Sequence, residues 1–456
     1  MKKSYLVICL LVTVFLVSCF SPWKGEEATL NIRLGGGGSR SLVELNPDGT
    51  PVESLYYELI LAGPGGTRRF SFTGTSAVFS VVPGYYHVTV RGISASNIPT
   101  FGGIKSKLRA LGETEVEVKS GANSASVDLF SASEVTSWAE LELAASGGPY
   151  SNTDPNYNRD EIILLKNGSG PWEAYSTIKI QRKITLRAED NIEITRAGIN
   201  TPGFFDENFF NVPMDFDYSI RELTLEGGKG TLTLNGGGGP AGSLSYSVIT
   251  IGGYTHPSPN GKLVMNPGVK IINNLASDSA AVYCGGTFEM NGGEISGNTA
   301  FADGGAVTVM SVDGKFIMNG GTITKNSAST GGAVFINSGT FEMNNDSKII
   351  GNSAIGSGGG SGFGGAVYFY YGTFTMAGNS VIGDNSADND GGGIYMSGGN
   401  FTMNGGIIYG NSEPSLANRA PLGAVLSAYG GSCMWGNGEL MYLNLPFNTD
   451  NTLKYP

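Results

Sequence analysis

From residue 261 onward the chain repeats itself, and a self-similar period limits a fold more tightly than any single motif. One column of the repeat reads Leu263, Phe288, Phe316, Phe341, Phe374, Phe401, and two residues on a second reads Met265, Met290, Met318, Met343, Met376, Met403. An isoleucine column (Ile271, Ile295, Ile323, Ile349, Ile382, Ile408) is followed three residues later by Asn274, Asn298, Asn326, Asn352, Asn385 and Asn411. Successive asparagines lie 24, 28, 26, 33 and 26 residues apart. A period of that length, holding three short strands and no helical pattern, fits one coil of a single-stranded parallel β-helix better than a leucine-rich repeat or a propeller blade.

Each column then acquires a physical role. Phe and Met alternate with Glu289, Ile317, Glu342, Thr375 and Thr402, so they are expected to point inward from one strand and to stack on the next coil at ~4.8 Å. The isoleucines supply the inward residue of a second strand. The recurrent Asn is expected at a bend, in the left-handed conformation, with its amide bonded coil to coil in a ladder. Gly pairs at 304–305, 331–332, 364–365 and 391–392 suit corners that need φ > 0. The same reading accounts for 71 glycines in 456 residues, about twice the usual ~7%. With only 15% charged and 40% hydrophobic residues, a disordered chain or coiled coil is disfavoured, and glycine lacks the every-third-residue period of collagen.

A third strand carries Val282, Val307, Val334, Val367, Ile394 and Val425 as its inward column, which puts Tyr283, Thr308, Phe335, Tyr368, Tyr395 and Leu426 outside. This predicts an exposed aromatic stripe. Tyr283, Phe335, Tyr368 and Tyr395 are the candidate binding residues, for a sugar chain or a partner protein, although β-propensity and ring stacking alone also favour outward tyrosines. Loop length varies mainly between the Asn column and the Gly pair, short at Ser327–Thr330 and long at Ser353–Phe363 and Ser412–Leu422. Repeat proteins tend to bind on the face that carries such insertions, while Gly356–Gly362 has the composition of a flexible spacer.

Upstream, residues 28–130 contain seven short runs of period-two alternation broken by turn signals, the pattern of a β-sandwich. In the Tyr86–Val90 run, Tyr86, Val88 and Val90 share one side, and His87 falls on the other, solvent side with Thr89 and Arg91. Around Ser137 the pattern changes: Ser137-Trp138-Ala139-Glu140 reads as a capping box opening a short helix with Trp138, Leu141 and Ala145 on one face. Brief strands at 161–165, 178–180, 184–186 and 192–194 follow, as expected of early coils whose open end the helix caps. Thr201–Asp217 reads as a loop, and strands resume at 223–225, 232–234 and 248–251. The domains are therefore placed at 28–130, 135–260 and 261–445, with 446–456 as a C-terminal tail.

At the N-terminus, Lys2 and Lys3 precede an apolar run from Tyr5 to Val17, the form of a secretory signal and too short to span a bilayer. Its end, Leu16-Val17-Ser18-Cys19, resembles the bacterial lipoprotein signal over residues 1–18. That resemblance implies cleavage before Cys19 and lipidation of that cysteine, followed by a tether to residue 27. Loss of two lysines would move the net charge from −11 to −13. No basic run is present, so nucleic acid lacks its electrostatic footprint as a partner. Cys284 and Cys433 lie several coils apart, beyond disulfide reach, and read as small buried residues.

Over residues 261–445 the columns are similar to the polymorphic outer membrane protein repeat, whose Gly-Gly-Ala-Ile and Phe-x-x-Asn signatures appear here as Gly304-Gly305-Ala306-Val307 and Phe316-Ile317-Met318-Asn319, and again at 331–334 and 341–344. That resemblance implies a right-handed, pectate-lyase-like β-helix at the cell surface, often adhesive. Ala377 departs from it, standing where Asn is expected after Phe374, and the C-terminal autotransporter barrel of that family has no counterpart. Val82-Pro83-Gly84-Tyr85-Tyr86-His87-Val88 resembles carboxypeptidase-regulatory and PEGA-like modules over one hairpin.

The expected function is a non-enzymatic, lipid-anchored adhesin or binding scaffold of the outer membrane or cell surface, with the membrane, a glycan or a host or envelope protein as partners and no cofactor or metal. The alternative is a β-helix that binds or cleaves polysaccharide. Asp303, Asp384, Asp388 and Asp390 lie around one corner in different coils and are its candidate acids, or calcium ligands, but no base from the array clearly joins them and neither His lies in the repeat.

Overall fold

The computed structural model describes residues 28–35, 55–94, 106–146, 160–197, 208–213, 221–237, 246–252, 261–356, 361–410, 414–421, 423, 425–428, 432–435, 447–449 and 452–454. The signal-like segment, Cys19, the tether and Asn411 lie outside these residues. The chain divides into two compact units, the first made of the N-terminal residues to 96 with 107–130, the second of 97–106 with the remainder.

In the first unit all seven alternating runs are strands: β1 (Ala28–Gly35), β2 (Leu55–Gly63), β3 (Gly66–Phe72), β4 (Ser76–Val81), β5 (Gly84–Ser94), β6 (Leu108–Val118) and β7 (Gly121–Asp128). β1 sits between β4, antiparallel, and β7, parallel, while β3, β2, β5 and β6 form an antiparallel sheet in that order. Alternation decides which residues are buried. Leu30 and Ile32 of β1, Leu59 and Leu61 of β2, and Tyr86, Val88 and Val90 of β5 contribute to one apolar cluster. His87 is on the solvent side as expected, but it is not isolated: its Nδ1 lies 2.9 Å from Glu115 Oε1, and Nε2 lies 3.9 Å from Glu113. Both carboxylates come from β6, across the strand pair.

The second unit is a parallel β-helix. α1 (Trp138–Ser146) packs at its beginning. Ser137 Oγ accepts from Glu140 N at 3.3 Å, while the Glu140 carboxylate reaches past Ser137 to accept from Thr136 N and Oγ1. The capping box is thus displaced by one residue on its return arm. Trp138, Leu141 and Ala145 are buried as expected; the indole packs on Phe209 and Phe210 and donates to Ser176 Oγ at 3.1 Å. At the helix end Arg182 donates to the Ala144 and Ala145 carbonyls, satisfying acceptors that the last turn leaves open. Phe210–Val212, within the segment read as a loop, is a strand; its Phe210 and the preceding Phe209 close the core beneath Trp138.

Three parallel sheets run the length of the solenoid, one strand per coil. The first collects Glu161–Leu165, Lys183–Ala188, Arg221–Glu226, Gly261–Met265 and then every Phe-x-Met strand to Asn400–Met403, ending at Ser432–Trp435. The second carries the isoleucines from Trp172–Ala174 to Ile407–Ile408. The third runs from Ile178–Lys179 to Leu426–Ala428. A short fourth sheet lines one corner, from Leu275–Ala276 to Ser386–Ala387. Register keeps like over like: Phe316 pairs with Phe341 and Met318 with Met343. The Phe rings stack at 4.8, 4.8, 4.7 and 5.1 Å from Phe288 to Phe401, fully buried.

The asparagine ladder forms, with two differences from expectation. Backbone N and Nδ2 of Asn298 donate to Asn326 Oδ1 at 3.0 and 2.9 Å, those of Asn326 to Asn352, those of Asn352 to Asn385, and those of Asn385 to Asn418. The last rung is therefore Asn418. Second, the left-handed seat belongs to the preceding residue: Asn273, Gly297, Lys325, Gly351 and Asp384 have φ of 54, 65, 56, 70 and 54°. The turn and the amide ladder are separate jobs on adjacent residues. At the start of the ladder, buried Arg196 donates to Asn274 Oδ1 at 2.8 Å and to the Tyr246 carbonyl at 2.9 Å. A second, outer ladder links Asn266, Asn291, Asn319 and Asn344 and donates in the opposite direction, each Nδ2 toward the earlier coil; Ala377 ends it.

At the C-terminal end, Phe447–Thr449 pairs antiparallel with Leu426–Ala428, and Leu453–Lys454 antiparallel with Ile407–Ile408. The segment read as a tail thus closes two sheet edges. No helix among the described residues is long and apolar enough to cross a membrane.

Candidate binding face

The third sheet positions the candidate residues. In each three-residue strand the outer two side chains point into the core and the middle one points away, so Val334 and Ile336 are buried on either side of Phe335, and Val367 and Phe369 on either side of Tyr368. In register, Tyr283, Thr308, Phe335, Tyr368, Tyr395 and Ser427 form one row. Ser427, not Leu426, ends it. Val425 and Leu426 are both apolar, so the sequence leaves the choice of inward residue open, and a one-residue slip exchanges the two faces. Leu426 takes the place beside Ile394.

The row is less exposed than alternation predicts. Tyr283 is 3% and Phe335 8% exposed, which removes both from a freely accessible stripe; Tyr368 and Tyr395 are half-buried. One cause is the stacking itself. Phe335 and Tyr368 stack at 5.3 Å and 10°, Tyr368 and Tyr395 at 5.2 Å and 13°, so each ring conceals its neighbour's face and leaves edges and phenol oxygens outward. The other cause is a flanking corner: isolated bridges join Asp303 to Thr330, Thr330 to Phe363 and Phe363 to Asp390. Thr308 Oγ1 donates to the Asp303 carbonyl at 3.2 Å, and the Phe363 ring lies 4.7 Å from Tyr395. That corner depends on the Gly pairs. Gly331 has φ 63°, and a side chain on Gly332 would meet the Gly365 carbonyl at 2.4 Å.

Three aromatic residues at this face escaped the alternation argument. Phe363 comes from the long loop. Tyr370 and Tyr371 follow the Tyr368 strand, are exposed, and meet edge to face at 4.6 Å; the run Tyr368-Phe369-Tyr370 held the signal, since residues two apart share a side.

Asp303 does not converge with the later candidate carboxylates. Asp303 and Asp390 are three bridge steps apart, about 14 Å at ~4.8 Å per coil, beyond the ~5–9.5 Å that separates paired glycosidic carboxylates. Asp384 is held by Arg419 at 2.8 Å, and Asp388 accepts from Gly356 N at 2.8 Å. Burial raises the Asp303 carboxyl above its ordinary range, opposed by the Thr330 hydroxyl that donates to it and reinforced by Asp278. Burial also raises Asp390. The Tyr368 phenol is pushed up to about 12, by burial first and then by Tyr395. Cys284 points into the core, where burial pushes its thiol up to about 12, so it lacks the thiolate character of a reactive cysteine. Cys433 lies in register with Phe401. Among the described residues no group of three or more His, Cys, Asp or Glu side chains is placed to hold a metal ion. No protein-family model, curated protein or solved structure matches this chain.

Proposed function

We propose that this protein is a non-enzymatic binding scaffold of the bacterial cell envelope, anchored through a lipid on Cys19 and presenting the aromatic face of its β-helix to a partner. The observation that carries this reading is the stacked pair Tyr368–Tyr395, backed by nearly buried Phe335, with Phe363, Tyr370 and Tyr371 beside it. Tyr368 and Tyr395 are held by strand pairing on both sides, so this part of the recognition surface is preorganised and binding orders little. Asp303 lies three bridge steps from Asp390, Asp384 is held by Arg419 and Asp388 by Gly356 N, which favours recognition over hydrolysis. The anchor rests on the Leu16-Val17-Ser18-Cys19 sequence; a single apolar signal followed by a lipid suits attachment without a spanning segment.

The test is protease accessibility on intact cells, compared with cells whose outer membrane has been permeabilised. Cleavage on intact cells is the expected result, together with loss of attachment to the partner surface in a Tyr368→Ala/Tyr395→Ala strain. Protection until permeabilisation would overturn surface display and leave a periplasmic scaffold.

A further inference from the structure

We infer that the aromatic face accommodates an extended glycan strand running along the solenoid axis, and that this glycan is uncharged or positively charged rather than acidic. The inference rests on the binding-scaffold reading and adds the chemical class of the ligand. Spacing is its first support. Along the axis the two accessible rings of the row, Tyr368 and Tyr395, lie 5.2 Å apart, a step close to the advance of one sugar residue in an extended β-linked chain. An extended peptide laid the same way would present same-face side chains every ~6.6–6.8 Å and lose register within two or three coils.

The second support is which part of each ring is available. Because Tyr368 and Tyr395 stack within 13° of parallel, their outward parts are edges and phenol oxygens; the Tyr368 hydroxyl already bonds Ser397, and a phenol that is both donor and acceptor keeps capacity for a polyhydroxylated partner. The Tyr370–Tyr371 pair, meeting at 75°, leaves ring surface exposed beside the row in the Tyr368 coil, where the apolar side of a sugar ring can lie.

Charge is the third. The flanking corner carries Asp303 and Asp390, with exposed Asp278 close enough to influence Asp303 and exposed Asp388 beside Gly356. Arg419, which follows at this corner, is occupied by Asp384. A uronate chain would bring like charges against these carboxylates, whereas neutral or amino sugars meet acceptors; unfavourable juxtaposition is what excludes a wrong partner.

The experiment titrates the full-length chain with three soluble hexamers: β-1,4-linked glucose, β-1,4-linked glucosamine and galacturonate. Binding of the neutral or cationic hexamer, weakened about tenfold in Tyr368→Ala/Tyr395→Ala, with no binding of galacturonate, supports the inference. The Tyr368→Phe/Tyr395→Phe variant keeps the stack and removes the hydroxyls, so a loss there separates recognition from misfolding. Asp303→Asn/Asp390→Asn is expected to lessen the rejection of galacturonate by more than it changes glucose binding, because each Asn keeps an acceptor oxygen. Galacturonate binding as tightly as the others overturns the charge assignment and leaves the binding face standing. If none of the three binds while the same tyrosines still mediate attachment of intact cells, the ligand is not a glycan and the scaffold reading survives.

Discussion

Each Asn of the inner ladder does more than one residue's bonding. Asn326 Oδ1 accepts from two nitrogens of Asn298, while its Nδ2 donates to the Ile295 and Thr324 carbonyls and to Asn352 Oδ1, all at 2.9–3.0 Å and 1% exposed. Asn326→Ala is expected to cost about 3 kcal/mol or more in chemical denaturation, because buried groups in both adjacent coils lose partners. Asn326→Asp should be worse, since a carboxylate there would face three acceptors. The outer ladder supplies the contrast: Asn319→Ala removes similar bonds at the surface and should cost no more than about 0.5 kcal/mol, as the chain's own Ala377 suggests. Equal costs for Asn326 and Asn319 would refute the division between the two ladders. Asp303 tests the flanking corner by pH. Its folded-state carboxyl is raised, so the stability it contributes is present below the ordinary carboxylate range and lost as pH rises through the raised value. Asp303→Asn, which keeps an acceptor for Thr330, is therefore expected to be slightly more stable than wild type at neutral pH, by no more than about 0.5 kcal/mol because the site is partly open to solvent. Thermal melts across pH should show that advantage disappearing in acid; an advantage that grows in acid would reverse the sign argued here.

At the scale of a turn or strand, the left-handed seat before each ladder Asn is filled by Asn273, Gly297, Gly351 and Asp384, types that tolerate it, and once by Lys325 at φ 56°. Left-handed backbone costs an ordinary L-residue roughly 1–2 kcal/mol, of which glycine's greater unfolded-state entropy returns part. Lys325→Gly, at an exposed position, should therefore stabilise by about 0.5 kcal/mol, read as a shift of denaturation midpoint at unchanged slope; a loss of stability would mean that the lysine side chain contributes more than the strain. The same turn shows what the sequence could and could not convey. Columns of Phe, Met and Ile were legible because inward residues stack on their own kind, so identity repeats with the coil. The turn position was not, because Gly, Asn, Asp and Lys share a backbone conformation and no side-chain likeness, and the conspicuous Asn beside it drew the assignment one residue away. The register of Val425 and Leu426 was undetermined for the opposite reason, two adjacent residues being equally apolar. Ring exposure on the candidate face was hidden as well: alternation states which way Phe335 points, whereas its burial depends on the ring stacked against it from the next coil.

For the molecule as a whole, a β-helix grows by adding coils, and its weak points are the two places where addition stops. Each end presents unpaired strand edges that would accept another chain. At the beginning Ser131–Val135 pairs parallel with Glu161–Leu165 on the first sheet, and α1 covers the core, its Trp138 packed on Phe209 and Phe210. The far end is closed differently, by reversing strand direction. Phe447–Thr449 and Leu453–Lys454 run antiparallel on the last strands of two sheets, Thr452 Oγ1 accepts from Gly410 N at 2.8 Å, and Leu453 is buried. An antiparallel strand cannot continue the coil path, so the pairing that satisfies the edge also ends the repeat. Removing residues 447–456 should uncover the edges of Leu426–Ala428 and Ile407–Ile408 together, and sedimentation velocity should then show association that increases with concentration, with the repeat's strand content retained in circular dichroism. Leu453→Asp keeps the backbone pairing but places a charge in the buried seat, and it is expected to associate less than the deletion. A deletion variant that stays monomeric at every concentration would show that the last coil tolerates open edges and that 447–456 do not guard against association.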